Sequence, residues 1–194
     1  MFWVVLIVFG GLVLYFVATY NSFVSLKTRI GASIQEIGNQ LKRQLELIPN
    51  LEETVKGYFK QEKDLYKMLT DARKFVSEAV SSRDLSKWSK ASEKVAQLLP
   101  KLQIAVESNP QIRGADVASK LMDELRDTSD KVMYARRTLI DLTADYNIQV
   151  VAFPSNLVAI IFKFTPEKGL NTPVSGEHLE VSGDDIKPVK VKLG

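Results

Sequence analysis

Gln40-Leu41-Lys42-Arg43-Gln44-Leu45-Glu46-Leu47-Ile48-Pro49-Asn50-Leu51-Glu52-Glu53-Thr54-Val55-Lys56-Gly57-Tyr58 joins two long segments whose apolar residues recur every three or four positions. A proline at the junction removes a backbone donor and disfavours helix in the residue before it, which predicts a helix end at Ile48. Asn50 followed by Glu53 has the spacing of a capping box, and Glu52 and Glu53 would complement the positive end of a new helix dipole. The reading is a tight turn between antiparallel helices; the alternative is one continuous helix kinked at Pro49.

Upstream, Phe23, Ile30, Ile34, Ile37, Leu41 and Ile48 keep the three-four rhythm, with Lys27 as an intrusion. Before them, residues 1–26 contain no charged side chain. A bilayer core needs about 20 apolar residues, so residues 1–19 predict a transmembrane anchor. A cleaved signal peptide would carry a positive n-region and small residues at the cleavage positions. No Lys or Arg precedes the apolar run, and Phe16-Val17-Ala18-Thr19 fits the cleavage pattern poorly, so the anchor is expected to be retained. Gly10-Gly11 lacks the spacing of a helix-dimer motif. The first cations, Lys27 and Arg29, follow the anchor. The positive-inside bias therefore predicts a single-pass cell-membrane protein with a short external N-terminus and a cytoplasmic body.

Downstream, Leu51, Val55, Tyr58, Glu62, Leu65, Leu69, Ala72, Val76 and Ala79 alternate spacings of four and three, the seam of coiled-coil packing. Ser81-Ser82-Arg83-Asp84 is a polar break. A third helix carries Leu85, Trp88, Ser92, Val95, Leu99, Leu102 and Val106, with Pro100 expected to kink or split it. After Ser108-Asn109-Pro110 and Gly114, a fourth helix runs from about Asp116 with a seam from Ala118 to Tyr146, Gln149 and Phe153. Residues 157–164 predict a helical turn or an extended cover. The last part is rich in Pro, Gly and Ser. The expected architecture is all-α: an anchor (1–19) continuing into an antiparallel up-and-down four-helix bundle (20–164), then a flexible tail (165–194) with room for a short strand. Summed helix lengths, at about 1.5 Å per residue, bring the end of the fourth helix back to the level of Tyr20-Asn21.

The chain resembles the LemA family of bacterial membrane-anchored proteins. The matching pieces are Tyr20-Asn21, Gln40-Leu41-Lys42-Arg43, Leu47-Ile48-Pro49-Asn50-Leu51 and Thr54-Val55-Lys56-Gly57-Tyr58, followed in order by Asp71-Ala72-Arg73, Ala135-Arg136-Arg137, Tyr146-Asn147 and Phe153-Pro154-Ser155-Asn156-Leu157. The resemblance implies a membrane helix, a helical bundle and a small N-terminus outside the cell. It implies no catalytic residues. Thr138-Leu139-Ile140 and Asn109 depart from the family pattern, which has aromatic and Asn residues after the Arg pair and often a tyrosine before the loop proline.

The composition narrows the chemistry. Without cysteine there is no disulfide, thiolate metal site or cysteine nucleophile. The single histidine, His178, lies in the tail, so the Glu-x-x-His pairs of a di-metal bundle are missing and a Ser-His-Asp triad would need the tail to reach the bundle. No zinc motif and no Gly-rich phosphate loop is present, and no cofactor is expected. A net charge of +3 is slight, and the basic residues lack interleaved aromatics, which argues against nucleic acid. Asp123, Glu124, Asp127 and Asp130 read as the solvent face of a helix.

Five residues remain as a candidate interaction or structural polar cluster: Lys42, Arg43, Glu62, Arg136 and Arg137. The basic pairs could receive an acidic partner or lipid headgroups, or pair with Glu46, Glu62 and Asp141. Glu62 occupies a seam position, either as a register-setting charge paired across helices or as a carboxylate poised by burial. The expected function is a membrane-tethered interaction or scaffold module with membrane or cytoplasmic protein partners, and not an enzyme. The alternative is an enzyme using carboxylates or lysines in a cleft of the bundle.

Overall fold

The computed structural model describes residues 1–56, 63–82, 84–108 and 115–170. Among them are five helices and no strand: α1 (Phe2–Val55), α2 (Lys63–Ser82), α3 (Leu85–Glu107), α4 (Ala115–Val151) and α5 (Ser155–Phe162). α1 packs along α4 and against α2; α2 packs on α3, α3 on α4, and α5 on both α4 and α1.

The expected turn at Pro49 is corrected by the structure: α1 continues through the proline to Val55. The reason lies in burial. Pro49 cannot donate to the Leu45 carbonyl, which costs about 3 kcal/mol in a helix interior. Against this, Leu47, Ile48, Leu51 and Val55 are all buried in the core, each contributing about 1.5–3 kcal/mol. A turn at Pro49 would change the direction of two of those four side chains relative to the others. Asn50 and Glu53 therefore do not cap a helix; the Asn50 carbonyl accepts from Thr54 Oγ1 at 2.7 Å inside α1. Pro100 likewise does not split α3, where Leu98, Leu99 and Leu102 flank it in the core.

The two halves of α1 differ in what surrounds them. The span that is long and apolar enough to cross a membrane is only 6% buried within the chain. From Phe23 onward, Ile30, Ile37, Leu41, Ile48, Leu51 and Val55 turn one face into the core. The seams expected on α2 and α3 are buried as well: Leu65, Leu69, Ala72, Val76 and Ala79, then Trp88, Ser92, Val95, Leu99, Leu102 and Val106. On α4 the seam holds from Ala118 to Tyr146. It does not reach Phe153, which is 81% exposed because α4 ends at Val151, before it.

Helix ends show why the chain breaks where it does. Asp84 has extended backbone and its carboxylate accepts from the Ser86 N–H at 2.8 Å, capping α3. Trp88 reaches back from α3, its indole N–H donating to the Ala79 carbonyl in the last turn of α2 at 2.8 Å. The same carbonyl also accepts from Ser82 Oγ at 3.2 Å, so two side chains satisfy this acceptor at the helix end. The Trp88 ring lies over Gly38 of α1, so one side chain joins three helices. Ser155 Oγ lies 2.7 Å from the Gln149 carbonyl and 2.9 Å from that of Ala152, satisfying the end of α4. α5 closes with Lys163 in the left-handed conformation (φ 58°, ψ 38°) and the Phe164 N–H on the Ala159 carbonyl at 2.9 Å.

This closure turns Phe164 back onto α1. Residues 165–170, read from the sequence as the start of a flexible tail, contact the body: Glu167 bonds to Asn147 and Lys27, and Leu170 packs against the core. Polar backbone that docks through side-chain amides and a salt bridge carries no apolar periodicity in the sequence, which is why composition alone reads it as loose.

Candidate functional site

Of the five residues of the sequence-derived cluster, the four that are described do not come together. Lys42 and Arg43 lie exposed on α1. Arg43 forms an ion pair with Glu124 of α4, and the hydrogen bond to that carboxylate raises the guanidinium above its ordinary value. Asn39, Lys42, Glu46, Leu47 and Asn50 complete a shallow groove around the pair. Arg136, on α4, instead faces α3, where it donates to Ser89 Oγ and lies 3.7 Å from Glu93. Arg137 is exposed. Twelve residues of α4 separate Glu124 from Arg136, or about 18 Å of helix, so the two basic pairs form two sites rather than one. Their acidic partners are Glu124 and Glu93; Asp141 is not among them, and Glu46 shares only the groove. Glu62 and His178 lie outside the described residues. Asp123, Asp127 and Asp130 are exposed as expected, with Lys131 bridging Asp127 at 2.7 Å.

Among the buried polar groups that escaped the sequence reading, two have long side chains. Gln44 is fully buried, and neither atom of its amide has a partner among the described residues. A buried unpaired amide costs about 1–3 kcal/mol. The signal for it was present: the rhythm Leu41, Gln44, Ile48, Leu51 has a slot at 44. Glu52 is the second. Its carboxylate is mostly enclosed and accepts from Arg73 of α2 at 3.0 Å. Instead of complementing a helix dipole, it ties the end of α1 to α2.

The densest polar and aromatic constellation sits where the apolar half of α1 meets the body. Phe23 and Tyr146 are fully buried, in edge-to-face contact at 5.7 Å. Phe164 stacks on Phe23 at 4.7 Å, and Tyr20 meets Phe162 at 4.7 Å and Phe164 at 5.7 Å. Around this aromatic knot runs a polar belt. Lys27 Nζ lies 3.0 Å from Glu167, Asn147 exchanges two hydrogen bonds with the Glu167 backbone at 2.9 and 3.0 Å, and Ser22 donates to Gln149 at 3.2 Å. The hydrogen bond from Glu167 raises the Lys27 ammonium above its ordinary value, while burial pushes the Tyr146 phenol up. Tyr20-Asn21 and Tyr146-Asn147 were visible as motifs; their convergence with Glu167, far along the chain, was not.

The arrangement holds and orients. Among the described residues no group of three or more His, Cys, Asp or Glu side chains could ligate a metal ion. The polar side chains of the belt are engaged with one another or with backbone, while the buried Tyr146 hydroxyl has no hydrogen-bond partner among the described residues, and the Arg43–Glu124 groove is open to solvent on α1 and α4.

The family model described as the LemA family matches residues 33–182. The chain belongs to the LemA family. The match begins within α1 after its apolar half, so it takes in the body but not the membrane-length span. Comparison with curated proteins finds no match.

Proposed function

We propose that the protein is a membrane-tethered interaction or scaffold module, acting by binding rather than catalysis. Residues 1–19 form a single-pass anchor, with a short N-terminus outside and a cytoplasmic body. Residues 20–164 form an antiparallel up-and-down four-helix bundle with coiled-coil-like seams. The observation that carries the reading is α1 itself, whose apolar half is left bare by the rest of the chain while the same helix continues into the core of the body. The pairing of Ser22 with Gln149, and of Arg43 with Glu124, supports opposite senses for α1 and α4. Lys27 and Arg29, the first charges after the span, favour the cytoplasmic side for the body. A tether confines the body to the membrane plane and raises its effective concentration toward membrane partners. The Arg43–Glu124 groove, with Lys42 and Glu46 beside it, offers both signs of charge to a protein partner.

Protease added to intact cells should leave the body uncut and degrade it only after permeabilisation. Digestion from outside, or a mature N-terminus near Tyr20, refutes the topology. Proximity labelling from the body in native membranes should mark a reproducible set of protein neighbours, and this marking should weaken when Arg43 is replaced by Glu.

A further inference from the structure

We infer that α5 and the end of α4 form an interfacial foot, lying in the headgroup boundary of the same bilayer leaflet from which α1 emerges. The inference rests on the reading of α1 as a membrane anchor and adds a second, independent membrane contact.

The first support is the face α5 leaves bare. Its segment, Ser155–Phe162, contains no charged residue. Ser155, Val158 and Ala159 are buried against the body, while Leu157, Ile160 and Ile161 are 44, 72 and 60% exposed. Those three positions, i, i+3 and i+4, share one side of the helix. Ile148 and Val151 of α4 and Phe153 of the turn are exposed too, at 61, 69 and 81%. Six large apolar side chains gathered at one end of a body form the kind of patch that marks a contact surface rather than ordinary solvent exposure.

The second support is where the patch lies. The ring of Phe162 touches Tyr20, and Phe164 stacks on Phe23, so α5 sits beside the stretch of α1 between these two aromatics. The uncharged run of α1 extends to Leu26, and Lys27 is the first charge. Twenty-six residues span about 39 Å of helix, against a hydrocarbon core of about 30 Å. The surplus of about 9 Å falls on the segment from Tyr20 to Leu26, the depth of the headgroup layer. α5 is held at that depth. Val17 and Val24, at i−3 and i+4 from Tyr20 on α1, are exposed apolar residues as well. An apolar helix of this kind at this level suits the plane of the interface, with its face sunk about 5–10 Å toward the acyl chains. Lys163, exposed and directly after α5, can extend its ammonium to the headgroups.

A lipid surface is the favoured occupant over a second copy of the chain. The patch lies where the anchored protein already meets lipid, so contact needs no further association.

Because the chain has no cysteine, one introduced thiol is the sole attachment point for an environment-sensitive dye. The full chain would be reconstituted in vesicles of zwitterionic and anionic phospholipid. Four labelled variants would be compared: Leu12→Cys in the anchor, Ile160→Cys and Phe153→Cys in the foot, and Tyr134→Cys on α4. Tyr134 is 75% exposed and lies about 21 Å of helix from Ile148. Spin-labelled lipids quenching deep in the acyl chain should quench the dye at Leu12, those quenching near the top of the acyl chain should quench it at Ile160 and Phe153, and neither should dim Tyr134. Quenching at Leu12 with none at either foot position overturns the inference and leaves the anchor intact. Foot labels that are shielded from water but unquenched by lipid, and that become exposed on dilution of protein in lipid, overturn it in favour of a second copy. No quenching at Leu12 refutes the anchor reading itself; foot quenching on its own would then support peripheral contact.

Discussion

Gly38→Ala should destabilise this protein, although alanine is the better helix former. Replacing glycine with alanine inside a helix gains about 0.5–1 kcal/mol. Here the new methyl would lie 3.1 Å from Cη2 of Trp88, with Cζ2 at 3.7 Å and Cζ3 at 3.8 Å. Carbon pairs rest at about 3.5–4.0 Å, so one contact is short by roughly half an ångström. The indole cannot easily retreat. It is 7% exposed, and its N–H is bound to the Ala79 carbonyl at 2.8 Å. Overpacking a core costs about 1–3 kcal/mol, which outweighs the gain and leaves a net loss of about 0.5–2 kcal/mol. For a chain of this length 1 kcal/mol moves Tm by about 2–4 °C, so a decrease of about 1–8 °C is expected. The assay is thermal unfolding of the full chain in detergent, followed by helical ellipticity. The second half of the experiment repeats the substitution in Trp88→Phe, which lacks the far edge of the indole. There the clash is relieved, and Gly38→Ala should become neutral or stabilising by up to about 1 kcal/mol. An increase in Tm of equal size in both backgrounds would refute the reasoning, because it would mean that the ring does not constrain position 38.

Three further outcomes follow from the same geometry. Arg73→Met should cost about 1–3 kcal/mol by leaving the enclosed Glu52 carboxylate unpaired, and the double variant Glu52→Gln/Arg73→Met should melt higher than Arg73→Met alone; additive losses would show that the two groups are not coupled. Tyr146 and Lys27 both hold their protons more firmly in the folded state, so their contribution is intact below the unfolded values of about 10 and 10.4 and is lost as pH rises through the folded ones. Tm measured from pH 8 to 11 should therefore fall at the alkaline end, and Tyr146→Phe should lessen that fall; an unchanged slope counts against the buried phenol. Lys163→Gly should raise Tm by a few degrees, because the left-handed conformation at position 163 costs a side-chain-bearing residue about 1–2 kcal/mol, part of which is offset by the chain entropy of glycine; a lower Tm would show that the lysine side chain stabilises the closure.

Periodicity disclosed most of the core, and where it was overruled by a single residue the periodicity proved the better guide. The rhythm from Ile37 through Leu41, Ile48 and Leu51 to Val55 passes Pro49 in register, as it should for one helix. Proline penalises a helix by a fixed few kcal/mol, whereas the rhythm reports burial summed over several side chains. Gln44 was legible for the same reason, as a polar residue in an apolar slot. The aromatic knot was not. Phe23, Tyr146 and Phe164 are brought together by long-range packing, and Glu167 reaches Asn147 and Lys27 through the left-handed turn at Lys163. A lysine with φ of 58° carries no local sequence signature. The basic pairs were visible, but their separation was not, since it depends on which helices face one another.

The unbroken course of α1 has a mechanical meaning. With its apolar half in the bilayer as proposed, the rest of the helix is a graduated mast rather than a hinge. Arg43 stands about 35 Å along the axis from Tyr20, and Val55 about 53 Å. Each residue also advances the helix by about 100° of azimuth. The height and the compass bearing of the Arg43–Glu124 groove are thus set by residue count alone. A partner that binds there is presented at a constant reach from the lipid and in a constant direction, and any twist or piston movement of the anchor is carried to that groove without slack.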